Sequence, residues 1–86
     1  MHLKLSASEP TWISLTGADR NGLFSRLLLP GQPRLVDVEH AATLRTGNAG
    51  GLQVALDGKP LGPIGPKGKI RYIEFKDGGF KITSPD

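Results

Sequence analysis

Residues 45–70 read RTGNAGGLQVALDGKPLGPIGPKGKI, with seven glycines and three prolines around a single apolar run. Within the run, Leu52, Val54 and Leu56 alternate with polar or small residues, which is the period of a strand with one buried face. GNAGG precedes the run and DGK follows it, and both are rich in residues that form turns. The stretch predicts a β-strand between two turns.

The rest of the chain repeats this pattern. Alternating or β-prone segments recur with turn signals about every 8–12 residues, a spacing typical of antiparallel β-domains. No segment predicts a helix long enough to join parallel strands. We therefore expect an all-β fold, a compact antiparallel β-sandwich or barrel of seven to eight short strands, in these segments: HLKLSA, TWISLT, LFSRLLL, RLVDV, ATLRT, LQVAL, KIRYIEF and GFKI.

Turns are predicted where glycine, asparagine and aspartate cluster. Asn-Gly and Asp-Gly pairs accept the positive φ of tight hairpins. For the GNAGG segment we expect a turn between two core strands, in which glycine and asparagine supply positive φ and glycine permits close backbone approach. The predicted turn-forming residues are Asn21, Gly22, Gly47, Asn48, Gly50, Gly51, Asp57 and Gly58.

Length and composition limit what the chain can do. With 86 residues we expect one domain, 1–86, ordered over about 3–82, with residues 83–86 as a frayed tail. There is no cysteine, so the chain has no disulfide and no thiolate metal site. No apolar run approaches the ~18 residues of a membrane span, so we expect the isolated chain to be soluble.

The net charge of +3 resides in the second half, where seven basic residues face four acidic ones. Such an excess can attract a polyanion, but it can also be an ordinary solvated surface. KGKIRYIEF begins like the base-stacking strand of small RNA-binding folds, yet Lys69 stands where an aromatic residue is needed. A small basic β-barrel that binds single-stranded nucleic acid remains an alternative, although five aromatic residues are few for a stacking platform.

No pattern indicates catalysis or a cofactor. GNAGG does not fit a phosphate-binding motif, because a strand and not a helix follows it. His2 and His40 lack a nucleophile partner in the sequence, and the carboxylates have no spacing typical of a metal site. We expect no enzyme activity, no catalytic residue, no metal and no cofactor.

Five residues are candidates for a binding surface. Strand parity places Trp12 opposite Ile13 and Leu15, on the side facing solvent unless a twist or loop covers it. An exposed tryptophan is a frequent interface anchor. Arg45 also has outward parity, and basic residues follow in the second half. The candidate binding residues are Trp12, Arg45, Lys67, Lys69 and Arg71.

Residues 9–75 resemble a known family. The matching features are Trp12, Phe24 after the first turn, Pro30-Gly31, GNAGGLQVALDGKPLG over residues 47–62, and GKIR ending at Arg71. Together they are similar to the C-terminal extracytoplasmic β-domain of RodZ-like proteins. Arg26 departs from this pattern, because glycine is frequent there in the family.

The resemblance implies a bitopic bacterial membrane protein that acts in rod shape and cell-wall elongation. Its other parts would be a cytoplasmic helix-turn-helix domain that engages an actin-like protein, one membrane helix and a linker, none of which is in these residues. This domain would then be a non-catalytic module on the periplasmic side of the inner membrane. Its partners would be protein components of the wall-elongation machinery or another envelope component. A structural spacer without ligand is a further alternative, and self-association is left open.

Overall fold

The computed structural model describes residues 1–17 and 22–85, and nine strands form within them. All pairings are antiparallel. Among the described residues, no helix is long or apolar enough to cross a membrane. The strands are β1 His2–Ala7, β2 Thr11–Gly17, β3 Gly22–Leu28, β4 Arg34–Asp37, β5 Ala41–Thr46, β6 Leu52–Leu56, β7 Lys59–Pro60, β8 Arg71–Lys76 and β9 Gly79–Thr83.

The strands are divided between two sheets, so the fold is a β-sandwich. The four-stranded sheet has the order β4-β1-β6-β7, and the five-stranded sheet has the order β3-β2-β5-β8-β9. The predicted all-β antiparallel fold is confirmed. Eight of the nine strands correspond to the predicted segments, and the ninth is the two-residue β7, which follows the Asp57-Gly58 turn directly.

The core lies between the sheets and follows the period of two in each strand. Alternate residues of β1 and β6 meet alternate residues of β2, β5 and β8, and together they form one buried cluster. Because aliphatic and aromatic side chains fill it, burial of apolar surface stabilises the pairing of the two sheets. Its central members are Leu3, Leu5, Ile13, Leu15, Leu44, Val54, Ile73 and Phe75.

The Asp-Gly turns form as the sequence predicts. Asp57 and Gly58 both have positive φ, 49° and 85°, and they join Leu56 to its partner Lys59. Positive φ at both central residues is the geometry of a type I′ hairpin, whose twist suits the strands it connects. Of the first predicted turn, Asn21 lies outside the described residues, and Gly22 begins β3 opposite Thr16.

The GNAGG segment differs from the prediction. Asn48 has φ −140°, and none of residues 47–51 has positive φ. The prediction that asparagine and glycine supply positive φ there is therefore wrong. Residues Ala49–Gly51 form a single 3₁₀ turn before β6. Close backbone approach, the other predicted role of these glycines, does occur, since a Cβ on Gly50 would lie 2.5 Å from the backbone nitrogen of Lys67.

Candidate functional site

Trp12 stands on the outer face of the five-stranded sheet. The inward residues of the same strand, Ile13 and Leu15, are fully buried, whereas 61% of Trp12 is exposed. Strand parity predicted the outer face for Trp12 but left open whether a twist or loop covers it, and the structure shows that most of the side chain is exposed. Because an exposed tryptophan is a frequent interface anchor, this position makes Trp12 a candidate contact residue.

Arg45 shares this face with Trp12. It is exposed and lies directly opposite Ser14 on β2 and Tyr72 on β8. Trp12 is two positions from Ser14 on the same strand, so Trp12 and Arg45 are diagonal neighbours across the β2–β5 pair. Such neighbours lie about 7–8 Å apart, within reach of long and aromatic side chains.

Two further residues complete the surface. Leu27 lies opposite Trp12 on β3 and is 38% exposed, and the half-buried Tyr72 borders Arg45 on the other side. We call the outward surface formed by Trp12, Leu27, Arg45 and Tyr72 the Trp12 face. Parity in β8 could have identified Tyr72, because Ile73 and Phe75 are apolar. Leu27 could be placed beside Trp12 only once the strand register was known.

Gly47 leaves one side of Trp12 open. Its N–H donates to the Trp12 carbonyl at 2.8 Å, so the two residues are adjacent across the sheet. A Cβ on residue 47 would lie 3.7 Å from the Cβ of Trp12, in contact with it. Because glycine carries no side chain, the indole has no neighbour there and can meet a flat group of a partner.

The Trp12 face carries one cation without a counter-ion. Arg45 forms no ion pair with any described residue. A guanidinium in this state can bind a carboxylate of a partner through two hydrogen bonds. Tryptophan, tyrosine and arginine are also the residues most enriched at the centres of protein interfaces.

The other three predicted binding residues lie away from the Trp12 face. Lys67 and Lys69 are in the segment before β8, and Lys67 Nζ lies 3.5 Å from Glu9 Oε2. Arg71 has inward parity, opposite the buried Thr46, and its side chain packs against Gly65 while Nη1 donates to the Ile70 carbonyl at 2.8 Å. The structure thus brings Trp12 and Arg45 together, and places Lys67, Lys69 and Arg71 at one end of the sandwich.

The GNAGG segment has no amide free for a ligand. Each of its five N–H groups is a donor within the chain, which leaves none directed at an anion. The segment ties the ends of β2 and β5 to the segment before β8, so its role in the described structure is architectural. The acceptors are Trp12 O for Gly47, Thr11 Oγ1 for Asn48, Lys69 O for Ala49, Pro66 O for Gly50 and Asn48 O for Gly51, at 2.8–3.1 Å.

Asn48 and two threonines form the buried part of this connection. The hydroxyls of Thr11 and Thr46 lie 2.7 Å apart, both side chains are buried, and the Asn48 N–H lies within 3.3 Å of each hydroxyl oxygen. The Asn48 side-chain carbonyl accepts from the Gly68 N–H at 2.8 Å.

Within residues 1–17 and 22–85 there is no group of His, Cys, Asp or Glu side chains that could hold a metal ion.

Comparison with known proteins identifies one family. The model of one family, the RodZ C-terminal domain, matches residues 4–74 of the 86. The match begins in β1, ends in β8, and includes Trp12, Arg45 and the GNAGG segment. Neither the curated proteins nor the solved structures give a significant match. Since the family model covers well over half of the chain, this protein belongs to the RodZ C-terminal domain family.

Proposed function

We propose that this domain is a non-catalytic, extracytoplasmic interaction module of a RodZ-like membrane protein that acts in cell shape or cell-wall elongation. Its partner is a protein of the wall-elongation machinery or of another part of the envelope. Membership of the RodZ C-terminal domain family supports the assignment to a RodZ-like parent. The location outside the membrane and the interaction role extend beyond that membership and are part of the proposal.

The observation that carries the proposal is the exposure of Trp12. Because 61% of the side chain is exposed, a large apolar surface is left in water, which is unfavourable in free energy. Docking to a partner would bury this surface. The indole is not part of the buried core, which is formed beneath it by Ile13 and Leu15. The side chain is therefore better explained by an external contact than by folding.

The neighbours of Trp12 define what the partner must offer. An apolar pocket or a flat group would receive the indole on its open side beside Gly47. A carboxylate would pair with the guanidinium of Arg45, which has no counter-ion among the described residues. Leu27 and Tyr72 extend the contact on either side and would exclude water from its centre.

A pull-down with the wall-elongation proteins of the host tests this proposal. We expect Trp12→Ala and Arg45→Ala each to weaken retention of the partner about tenfold or more, the size of effect typical of interface anchors. The matched control is Leu35→Ala, because Leu35 is 81% exposed but lies on the other sheet. The free energy of unfolding should change by less than about 0.5 kcal/mol in all three variants.

Two results would contradict the proposal. If both variants retain every partner as well as the unaltered domain does, the Trp12 face is not the contact. If the unaltered domain retains no envelope protein at all, the domain is better described as a spacer between other parts of its parent.

A further inference from the structure

Of the four edge strands in the described structure, three carry features that discourage another strand from pairing with them. Arg26 on β3 lies opposite Ile13, and Arg34 on β4 lies opposite Leu5, so both have inward parity although both are exposed. Inward-pointing charges at an edge make the burial of an added strand costly. The edge strand β7 is only two residues long and contains Pro60.

Strand β9 has neither an inward charge nor a proline, and its one charged residue, Lys81, has outward parity. Its inward residues are Phe80, opposite the buried Phe75, and Ile82, opposite the buried Ile73. Phe80 is 45% exposed, so its ring is only partly covered by the domain itself. β9 thus offers a five-residue edge whose inward side is apolar.

An apolar cleft adjoins this edge. It has a volume of about 450 Å³, lies between β9 and the segment around β7, and is open to solvent. Its apolar lining comes from Leu56, Pro60, Leu61 and Phe80. A strand added to β9 would place its own inward side chains over this cleft.

The charge on β9 distinguishes between two possible occupants. Lys81 has outward parity and is exposed, and it forms no ion pair with any described residue although Glu74 lies opposite it on β8. Two copies of the chain could also pair with each other through antiparallel β9 strands. If all of residues 79–83 took part, Lys81 of one copy would lie opposite Lys81 of the other. Like charges directly opposite one another destabilise a strand pair, whereas a carboxylate opposite Lys81 stabilises it.

We propose that the β9 edge binds an extended segment of a different protein by antiparallel strand addition. The segment carries apolar residues at alternate positions, which cover the cleft, and an aspartate or glutamate at the position between them, opposite Lys81. Backbone hydrogen bonds provide affinity, and the alternating side chains provide specificity. The site shares no residue with the Trp12 face, although Thr83 of β9 lies opposite Tyr72, and the proposal does not depend on that face.

The test uses the 86-residue chain labelled with ¹⁵N and two acetylated pentapeptides, Thr-Val-Glu-Val-Thr and Thr-Val-Lys-Val-Thr. Amide chemical shifts report where each peptide binds, and titration to millimolar concentrations gives the affinity. We expect shifts confined to β8, β9 and the cleft, with the glutamate peptide at least about threefold tighter than the lysine peptide. In Lys81→Glu the order of the two peptides should reverse. Because the new carboxylate lies opposite Glu74 on β8, the amide spectrum of the free variant is first compared with that of the unaltered chain to check its fold.

Two further variants locate the contact. Phe80→Lys introduces the inward charge that β3 and β4 already have, and it should abolish binding of both peptides. Leu35→Lys places a lysine on another exposed edge strand and should leave binding unchanged. Shifts that map to β3, or to Trp12 and Arg45 of the Trp12 face, would overturn the proposal. The same peptide order in Lys81→Glu would overturn it as well. Dimerisation in analytical ultracentrifugation that Phe80→Lys abolishes would also overturn it, because a second copy would then be the occupant.

Discussion

Gly50 shows how one residue determines the geometry of the GNAGG segment. Its N–H donates to the Pro66 carbonyl at 3.1 Å, and the backbone of Lys67 passes directly over its α-carbon. A Cβ at residue 50 would lie 2.5 Å from the Lys67 nitrogen and 2.6 Å from its Cα, distances that side chains do not tolerate. Only glycine lets these two segments pack together.

Gly50→Ala should therefore destabilise the domain. Because the contacted atoms belong to the backbone, the strain cannot be relieved by rotating a side chain, and we expect a loss of about 1–3 kcal/mol in the free energy of unfolding. Urea denaturation followed by circular dichroism measures it. The matched control is Gly47→Ala, whose Cβ would make only ordinary contact with Trp12 at 3.7 Å. Equal stability of the two variants would contradict this account of the segment.

The sequence predicted that glycine was needed in this segment and that close backbone approach was one reason, but not which segment approaches it. Asn48 and the glycines around it favour positive φ by composition, yet the chain takes a 3₁₀ turn with negative φ at Asn48. Close approach depends on Lys67, which is distant in sequence, so local reasoning could not identify it. Trp12 is a different case: the parity of β2 assigned it to the outer face, but whether a neighbouring segment covers it depended on the fold.

At the scale of elements, hairpins with short connections were the most predictable part of the fold. Asp57-Gly58 and Asp77-Gly78 each have positive φ at both residues, and each joins strands that pair directly. The conformation is fixed by two neighbouring residues, so their identities suffice to predict it. The conformations of the 3₁₀ turn and of the segment before β8 depend instead on the contacts that these two segments make with each other.

Gly58→Ala tests the first of these hairpins. With φ of 85° at residue 58, a Cβ costs about 1–2 kcal/mol. Gly58→Asn should cost less than Gly58→Ala, because asparagine tolerates positive φ better than other side chains do. Thermal unfolding of the two variants gives the comparison. An alanine variant as stable as the asparagine variant would argue against the assigned turn.

At the scale of the whole molecule, the all-β class was predictable and the arrangement of the sheets was not. Alternation in β1 and β6 predicted that Leu5 and Val54 are buried, but not that these strands are neighbours. The neighbours of β1 are β4 and β6, both distant in sequence, and nothing local encodes that choice. The same limit applied to the candidate site, since the separation of Arg45 from Lys67 and Arg71 follows from the fold and not from their spacing.

The distribution of basic residues bears on the nucleic-acid alternative. Lys67 is paired with Glu9 and Arg71 is turned inward, so at that end of the sandwich only Lys69 is exposed and without an ion pair among the described residues. Arg45 lies apart from it, on the Trp12 face. A binding track for a polyanion needs several cations along one groove. We therefore expect no salt-sensitive binding of single-stranded DNA or RNA in fluorescence anisotropy at ~50 mM salt. Affinity that falls steeply as salt is raised would favour a nucleic-acid-binding function.

The most direct test of the central claim is photo-crosslinking from position 12 in living cells that express the full-length parent protein. A photoreactive amino acid replaces Trp12 in one strain and Leu35 in another, since both side chains are exposed but lie on opposite sheets. We predict that position 12 yields a specific crosslink to an envelope protein, that position 35 does not, and that Arg45→Ala reduces the crosslink. Equal crosslinking from both positions, or none from position 12, would contradict the proposal that the Trp12 face is an interaction surface.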